Sequence, residues 1–309
     1  MNKIPVFKTI AHAYRFAFGQ FLRLLGVTWA PLLVVTAFGL MLTPGFMGNH
    51  MPVNDPDEIA RQTLRLFPLT FAVMLIARGM VATGVTELAL GVRSGLTVVF
   101  FSVGLSVWRF VGSWLLVMLL MLVLIVGSAL ALGLLLAAGG MIFGNLLHVS
   151  AAGTAIVVVG VVLIFYAFIF FVGVRLTFLI PPVVVVERKI DLARGWILTR
   201  GNFWRIFVIG LAIFIPLIAA GCAIFLAVYG TEFLRTIADV FMLSVHSAKQ
   251  AVIEQRLDAL SANMRAQSLA VWPYTAAANL IVQTIAYGLL YGASAFAYRS
   301  VTPEPAVQA

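Results

Sequence analysis

Six apolar runs, at roughly 21–43, 66–90, 109–139, 154–182, 203–229 and 270–298, constrain this chain more than any motif within it. Each is long enough to cross a hydrocarbon layer about 30 Å thick as a helix. A backbone inside such a layer must satisfy its own hydrogen bonds, so runs of this length imply helices rather than open strands. Residues are 62% hydrophobic and 10% charged, with a mean hydropathy of +1.08, whereas soluble domains carry about a quarter charged residues. The expected class is therefore all-α integral membrane, with six transmembrane helices in a single polytopic domain over residues 1–309. The first run is too long for a signal-peptide core and lacks a small-residue cleavage pattern, so it is expected to persist as a span.

A recurring unit joins the runs, and it is clearest over residues 175–211. Ile190, Ala193, Ile197 and Gly201 fall on one side at spacings of three and four, while Arg188, Lys189, Asp191, Arg194 and Arg200 populate the rest, with Trp196 at the edge. That pattern predicts a helix lying in a membrane interface, here called an elbow. Gly201-Asn202 ends it, and Phe203-Trp204-Arg205 opens the next run with residues suited to headgroup level. Upstream, Pro181-Pro182 is expected to end the fourth span early and leave Val183 to Val186 extended. Weaker copies occur twice. Gly19-Gln20-Phe21-Leu22-Arg23, with Arg15 before it, aligns with Gly201 to Arg205, and Arg93 and Trp108-Arg109 precede Lys189 and Trp204-Arg205 by 96 residues. Gly48-Asn49 and Gly144-Asn145 repeat that spacing. Together these predict three pseudo-repeats, about 1–90, 91–186 and 187–300, each an interfacial elbow helix plus a two-span hairpin.

Charge sets orientation and partners. The net charge is +9, but the cations flank apolar runs rather than clustering with aromatics on a polar surface, which points to anionic lipid headgroups and away from nucleic acid. The headgroup candidates are Arg15, Arg23, Arg93, Arg109, Arg188, Lys189, Arg194, Arg200, Trp204 and Arg205. Twelve Lys and Arg fall on the elbow side of the span map and six on the other, which by the positive-inside rule predicts cytoplasmic termini and elbows. On the outer side, 50–65 reads as a plain polar loop and 140–153 as a short uncharged one. Residues 230–269 carry Ile253, Leu257, Leu260 and Met264 at helical spacing, an amphipathic helix that lies on the outer leaflet, caps the bundle or packs as a loop helix. The third run exceeds the length of a span, so it is expected to tilt or to project beyond the bilayer. Pro31 and Pro216 are expected to kink their helices.

Polar groups inside the runs are few. Arg78 and Arg175 each lie about thirty residues before the next elbow arginine and are therefore repeat-equivalent in sequence. A charge at the bilayer centre costs about 2.5–3.5 kcal/mol even on the lenient insertion scale, so both should face the bundle interior or a cavity, with snorkelling to the interface the alternative, easier for Arg175. Glu87 is the one acid in a returning span. Asn279, Gln283, Tyr287 and Tyr291, four apart, form a polar seam that reads as interhelical glue, and Gly288 and Gly292 allow close helix contact beside it. His50, His148 and His246 fall one in each outer connection, 98 apart, and a threefold arrangement would let them converge on a metal. Without a carboxylate pattern to support that site, no metal or other cofactor is expected. Cys222 reads as a small core residue. A nucleophile elbow, a phosphate-cradling glycine loop and a pair of intramembrane acids are all missing from the sequence, so an enzyme is not expected.

An arginine-bearing span, a proline, a valine run with a glutamate, an interfacial helix and a Gly-Asn break, carried here by Arg175, Pro181, Glu187 and Gly201-Asn202, resemble the membrane domain associated with bacterial glycerophosphoryl diester phosphodiesterases and its stand-alone relatives. The resemblance is strongest over 175–211. It implies a bacterial multi-pass inner-membrane protein concerned with phospholipid or glycerophosphodiester molecules, in which any phosphodiesterase is a separate soluble domain. No segment here is long enough for that domain, so its activity does not carry over. Two functions follow as expectations: a non-catalytic protein that organises, presents or moves lipid, or a carrier or channel for a small anion or lipid-like substrate with Arg78 and Arg175 lining the path. Beyond lipid, a membrane or soluble protein partner is left open.

Overall fold

The computed structural model describes residues 3–41, 56–93, 100–101, 103–145, 151–245 and 250–302. Within them the regular structure is helical throughout: α1 (Val6–Gly19), α2 (Phe21–Met41), α3 (Pro56–Ala89), α4 (Leu105–Asn145), α5 (Ala151–Thr177), α6 (Ile180–Glu187), α7 (Leu192–Leu198), α8 (Phe203–Val245) and α9 (Gln250–Val301). Six stretches are long and apolar enough to cross a membrane: Phe21–Gly39, Leu64–Ala89, Leu105–Leu134, Val159–Glu187, Phe203–Val228 and Val271–Val301. These coincide with the six apolar runs to within a few residues. The chain is a multi-pass helical membrane protein.

Packing is concentrated at one end, the end that carries α1, α6 and α7. Every buried residue of the spans lies on that side of a level marked by Leu32, Ala77, Val117, Val172, Ile213 and Thr284. Beyond it, among the described residues, none is buried. Glycines report the same boundary from the backbone: a Cβ at Gly84 would meet Val27 Cγ1 at 2.6 Å, whereas one at Gly127, Gly160 or Gly221 would meet nothing within 4 Å. The six spans therefore bury residues over one half of their length and none over the described part of the other, the loosely packed half here called splayed.

The centre of the packed half is the last part of α9, where Gly292, Ala293, Ser294, Ala295 and Ala297 let neighbouring helices approach. A Cβ at Gly292 would meet Phe16 Cδ1 at 2.7 Å and one at Gly288 would meet Leu24 Cδ1 at 2.7 Å. The glycine pair thus makes the close contact expected of it, with α1 and α2 as partners. Thr28 and Thr284 share a hydrogen bond of 2.8 Å between α2 and α9.

Several expectations are corrected. Val183 to Val186 are not extended; they lie in α6, where Pro181 and Pro182 occupy the first turn, positions whose N–H groups have no helical partner to lose. Val183, Val184 and Val185 are buried there, so tertiary packing overrides their β-branched preference. Residues 56–65 belong to α3 rather than to a loop, with Pro56 at its start. The 230–269 segment is not a separate surface helix. Gly230, with φ 69° and ψ −179°, breaks α8, which then continues to Val245. α9 runs unbroken for 52 residues, about 78 Å at 1.5 Å per residue. α4 spans 41 residues, so the long third run does continue past a bilayer-length helix. Pro31 lies within α2 and Pro216 within α8, as Pro68 and Pro273 lie within α3 and α9. Cys222 is exposed on α8, in the splayed half, and is not a core residue.

Candidate functional site

The elbow between α5 and α8 is built around two side chains. Arg175 lies two residues before the end of α5 and is buried. Its Nη2 donates to the Trp196 carbonyl at 2.8 Å, its Nε lies 3.4 Å from Thr199 Oγ1, and its guanidinium sits 3.7 Å from the centroid of the Trp196 ring. Thr199 Oγ1 donates back towards the Arg175 carbonyl at 3.2 Å. Arg175 is therefore a clamp that caps the C-terminal carbonyls of α7 and fastens them to α5. Glu187, at the end of α6, is the second hub. It accepts from Arg194 Nε at 3.0 Å and from Tyr298 Oη at 3.0 Å, with Lys189 Nζ at 4.0 Å. These contacts tie α6, α7 and α9 together, and the hydrogen bond to Glu187 raises the Arg194 pKa.

α7 is short, and Asp191 caps it by accepting from the Arg194 N–H at 2.8 Å. Its buried face is Gly195 and Leu198, while Ile190 and Ile197 are about half exposed and Ala193 and Gly201 are exposed. The apolar face read from the sequence therefore points away from the protein, as an interfacial helix requires. Gly201 takes φ 74° at the break and Arg188 takes φ 53° at the end of α6. The second is a left-handed conformation that a non-glycine residue holds only at a cost of about 1–3 kcal/mol.

The headgroup candidates divide into two sets. Arg93 pairs with Glu87 at 3.3 Å and lies 4.2 Å from the Phe100 ring centroid; Arg194 is held by Glu187; Arg205 donates to the Ile4 carbonyl at 2.7 Å. These three cations are used by the fold. Arg15, Arg23, Arg188 and Arg200 are exposed, as is Trp204; Lys189 is exposed but reaches Glu187 at 4.0 Å, and Arg109 is half-buried. α1 docks on α8 as well as on α9, since the Ile4 N–H donates to Asn202 Oδ1 at 3.0 Å and Tyr14 Oη donates to the Ala212 carbonyl at 2.8 Å. In the middle copy no helix is present among the described residues of 91–104.

Beside the α7–α8 junction an apolar cleft of about 370 Å³ enters the bundle, within the range of small-molecule sites. Phe170, Leu211 and Phe214 stand at its exposed side, and Trp114, Pro181 and Tyr291 form its inner wall. Ile206 and Phe207 place its near edge one turn into α8, where the Phe207 ring lies 5.8 Å from that of Trp204.

Arg78 is placed differently from Arg175. It lies 11 residues before the end of α3, about 16 Å along the helix. It is exposed and makes no hydrogen bond or ion pair among the described residues. It lines a cavity of about 100 Å³ with Leu32, Val35, Met74, Gln283 and Tyr287, and Arg175 is not in that lining. Sequence equivalence thus did not become spatial equivalence. Of the polar seam, Asn279 is exposed, Gln283 and Tyr287 are half-buried, and Tyr291 is buried. Gln283 Nε2 donates to Asn279 Oδ1 at 3.1 Å, and Tyr287 stacks on Tyr291 at 5.8 Å. Gln283 and Tyr287 line the Arg78 cavity and Tyr291 the elbow cleft; polar contacts between helices include Thr28 with Thr284 and Ser294 with the Phe178 carbonyl at 2.5 Å.

His50, His148 and His246 lie outside the described residues. Among the described residues no group of three His, Cys, Asp or Glu is placed to hold a metal. Thr199, Tyr298 and Ser294 carry the elbow geometry without having stood out in the sequence, and Trp196 stood out only as the edge of the interfacial face. Their only signal was position: a hydroxyl or an indole within a few residues of a helix end. No family model, curated protein or solved structure matches the chain.

Proposed function

We propose that this is a non-catalytic bacterial inner-membrane protein that holds phospholipid or a glycerophosphodiester-related molecule at its elbows and organises, presents or moves it. The observation that carries this reading is the apolar cleft of about 370 Å³ placed beside the cationic elbow. An acyl chain entering between Phe170 and Phe214 leaves its headgroup over the start of α8, beside exposed Arg200 and Trp204. Arg188 and Lys189 add two exposed cations on the same elbow, each worth about 1 kcal/mol near an anionic surface. In this reading the elbows face the cytoplasm, in keeping with their excess of Lys and Arg. The three helix-hairpin pairs, α2 with α3, α4 with α5 and α8 with α9, are then three pseudo-repeats of one lipid-facing unit, akin to the membrane domain the sequence resembles.

Mass spectrometry of lipids retained in native membrane discs tests this. Wild type is expected to retain a phospholipid, enriched in anionic headgroups, that Gly210→Trp loses by filling the cleft. Arg188→Gly combined with Arg200→Gln should keep the chain and lose the headgroup preference, because glycine is at ease at the left-handed position of residue 188. Identical bulk lipid in all three proteins would overturn the reading.

A further inference from the structure

We infer that the splayed half of the bundle is a vestibule entered from the end opposite the elbows, and that Arg78 at its floor is a binding site for a phosphate or similar oxyanion. This inference does not rest on the elbow cleft, which shares no lining residue with the cavities used here.

Position is the first argument. Packing stops at Leu32, Ala77 and Thr284, and the cavity that Arg78 lines contains Leu32 and Ala77 and neighbours Thr284 through Gln283. Arg78 therefore sits where the bundle opens, at mid-span depth.

Access is the second. A larger cavity of about 370 Å³, lined by Thr36, Phe225, Trp272, Thr275, Asn279 and others, lies between α2, α8 and α9 further from the elbows. The two cavities adjoin through the Gln283 to Asn279 hydrogen bond and through Val35 and Thr36 of α2. Thr275, Asn279, Gln283 and Tyr287 recur every fourth residue of α9, so they form a polar line from the open end to Arg78.

Chemistry is the third. A guanidinium offers five donors in a fixed fork and no acceptor, and it matches phosphate bidentately. Tyr287 adds a hydroxyl donor on the same cavity and is held in place by its stack on Tyr291. No acidic residue lines either cavity. A cation at this depth without a partner costs about 2.5–3.5 kcal/mol, and an entering oxyanion with water supplies what the protein does not. The source of the oxyanion is either a free phosphate compound or the headgroup of a lipid from the adjacent leaflet.

The test uses single cysteines in a Cys222→Ser background, because Cys222 is itself exposed. Asn279→Cys and, as an independent second site, Thr275→Cys are placed in discs of phosphatidylcholine and treated with a sulfonate-bearing or an ammonium-bearing impermeant thiol reagent. The anionic reagent is expected to react about tenfold faster than the cationic one, the size of local enrichment that a focused field gives. Arg78→Gln should abolish that preference and Arg78→Lys should retain it. Inorganic phosphate that slows the reaction identifies a free anion; slowing only in discs containing phosphatidylglycerol identifies a lipid headgroup. Failure of both cysteines to react, a preference that survives Arg78→Gln, or protection by neither probe would overturn the inference.

Discussion

The packed half of the helices and the level at which their packing stops treat an intramembrane arginine in opposite ways. In the packed half Arg175 is buried and bonded to the end of α7, so its charge is spent on holding an elbow. At the boundary where packing stops, Arg78 stands exposed at a cavity with no bonding partner among the described residues. Both residues lie in apolar runs long enough to cross a membrane, and what separates them is the presence of a helix end within reach. A guanidinium beside free carbonyls becomes structure, and one beside open space remains available for a ligand.

The sharpest way to break that comparison is to remove each arginine in turn. Arg175→Ala forfeits charge-assisted hydrogen bonds worth about 1.5–3 kcal/mol each and should lower the thermal unfolding midpoint in detergent by the largest margin of any substitution here. Arg78→Leu should be neutral or stabilising in the same assay, because it removes a charge from mid-span depth. Equal losses would mean that the two halves do not differ in kind.

Glycines sharpen it next. Gly292→Leu drives a side chain into Phe16, and overpacking of this sort costs about 1–3 kcal/mol. Gly221→Leu, in open space, should leave the unfolding midpoint unchanged. Glu187→Gln, which weakens the links to Arg194 and Tyr298, is expected to cost about 1.5–3 kcal/mol; Tyr298→Phe should cost less, about 0.5–1.5 kcal/mol, and limited proteolysis around α7 would reveal the loosening in both.

The smallest effect concerns pH. His12 on α1 stacks on Phe296 of α9 at 4.6 Å, and burial, then Arg299, then Arg15 hold its pKa below the ordinary 6.5. Between the lowered value and 6.5 the unfolded or undocked chain binds more protons than the folded one, so stability rises with pH across that window and is lost as pH falls through it. Docking of α1, followed by a spin label or by amide exchange, should weaken slightly below pH 6.5. His12→Phe should remove that dependence; a pH response that persists in it would assign the effect elsewhere.

Much of the fold was legible because its signals are local. Span positions follow from runs of apolar residues, the Gly-Asn break from the backbone freedom of Gly201, and the close contact at Gly288 and Gly292 from two missing side chains four residues apart. The site was less legible. Arg78 and Arg175 looked equivalent by spacing, yet α5 ends two residues after Arg175 while α3 continues 11 residues past Arg78. Four valines after two prolines read as extended chain because the burial that makes them a helix comes from α3, α4 and α9. Ile253, Leu257 and Leu260 predicted a helix correctly, but not that it would be continuous with the sixth span.

The sequence by itself determined six helices long and apolar enough to cross a membrane, because an apolar run of about twenty residues meets its backbone hydrogen bonds within itself as a helix. It also determined where cations would flank those spans. The tertiary structure alone decided which cations would be consumed by the fold and which left free, because that depends on whether a carboxylate or a helix end from elsewhere in the chain arrives within about 3 Å. It decided, too, that burial would stop halfway along the spans among the described residues, with the small residues of the last part of α9 drawing α1 and α2 close at the packed end.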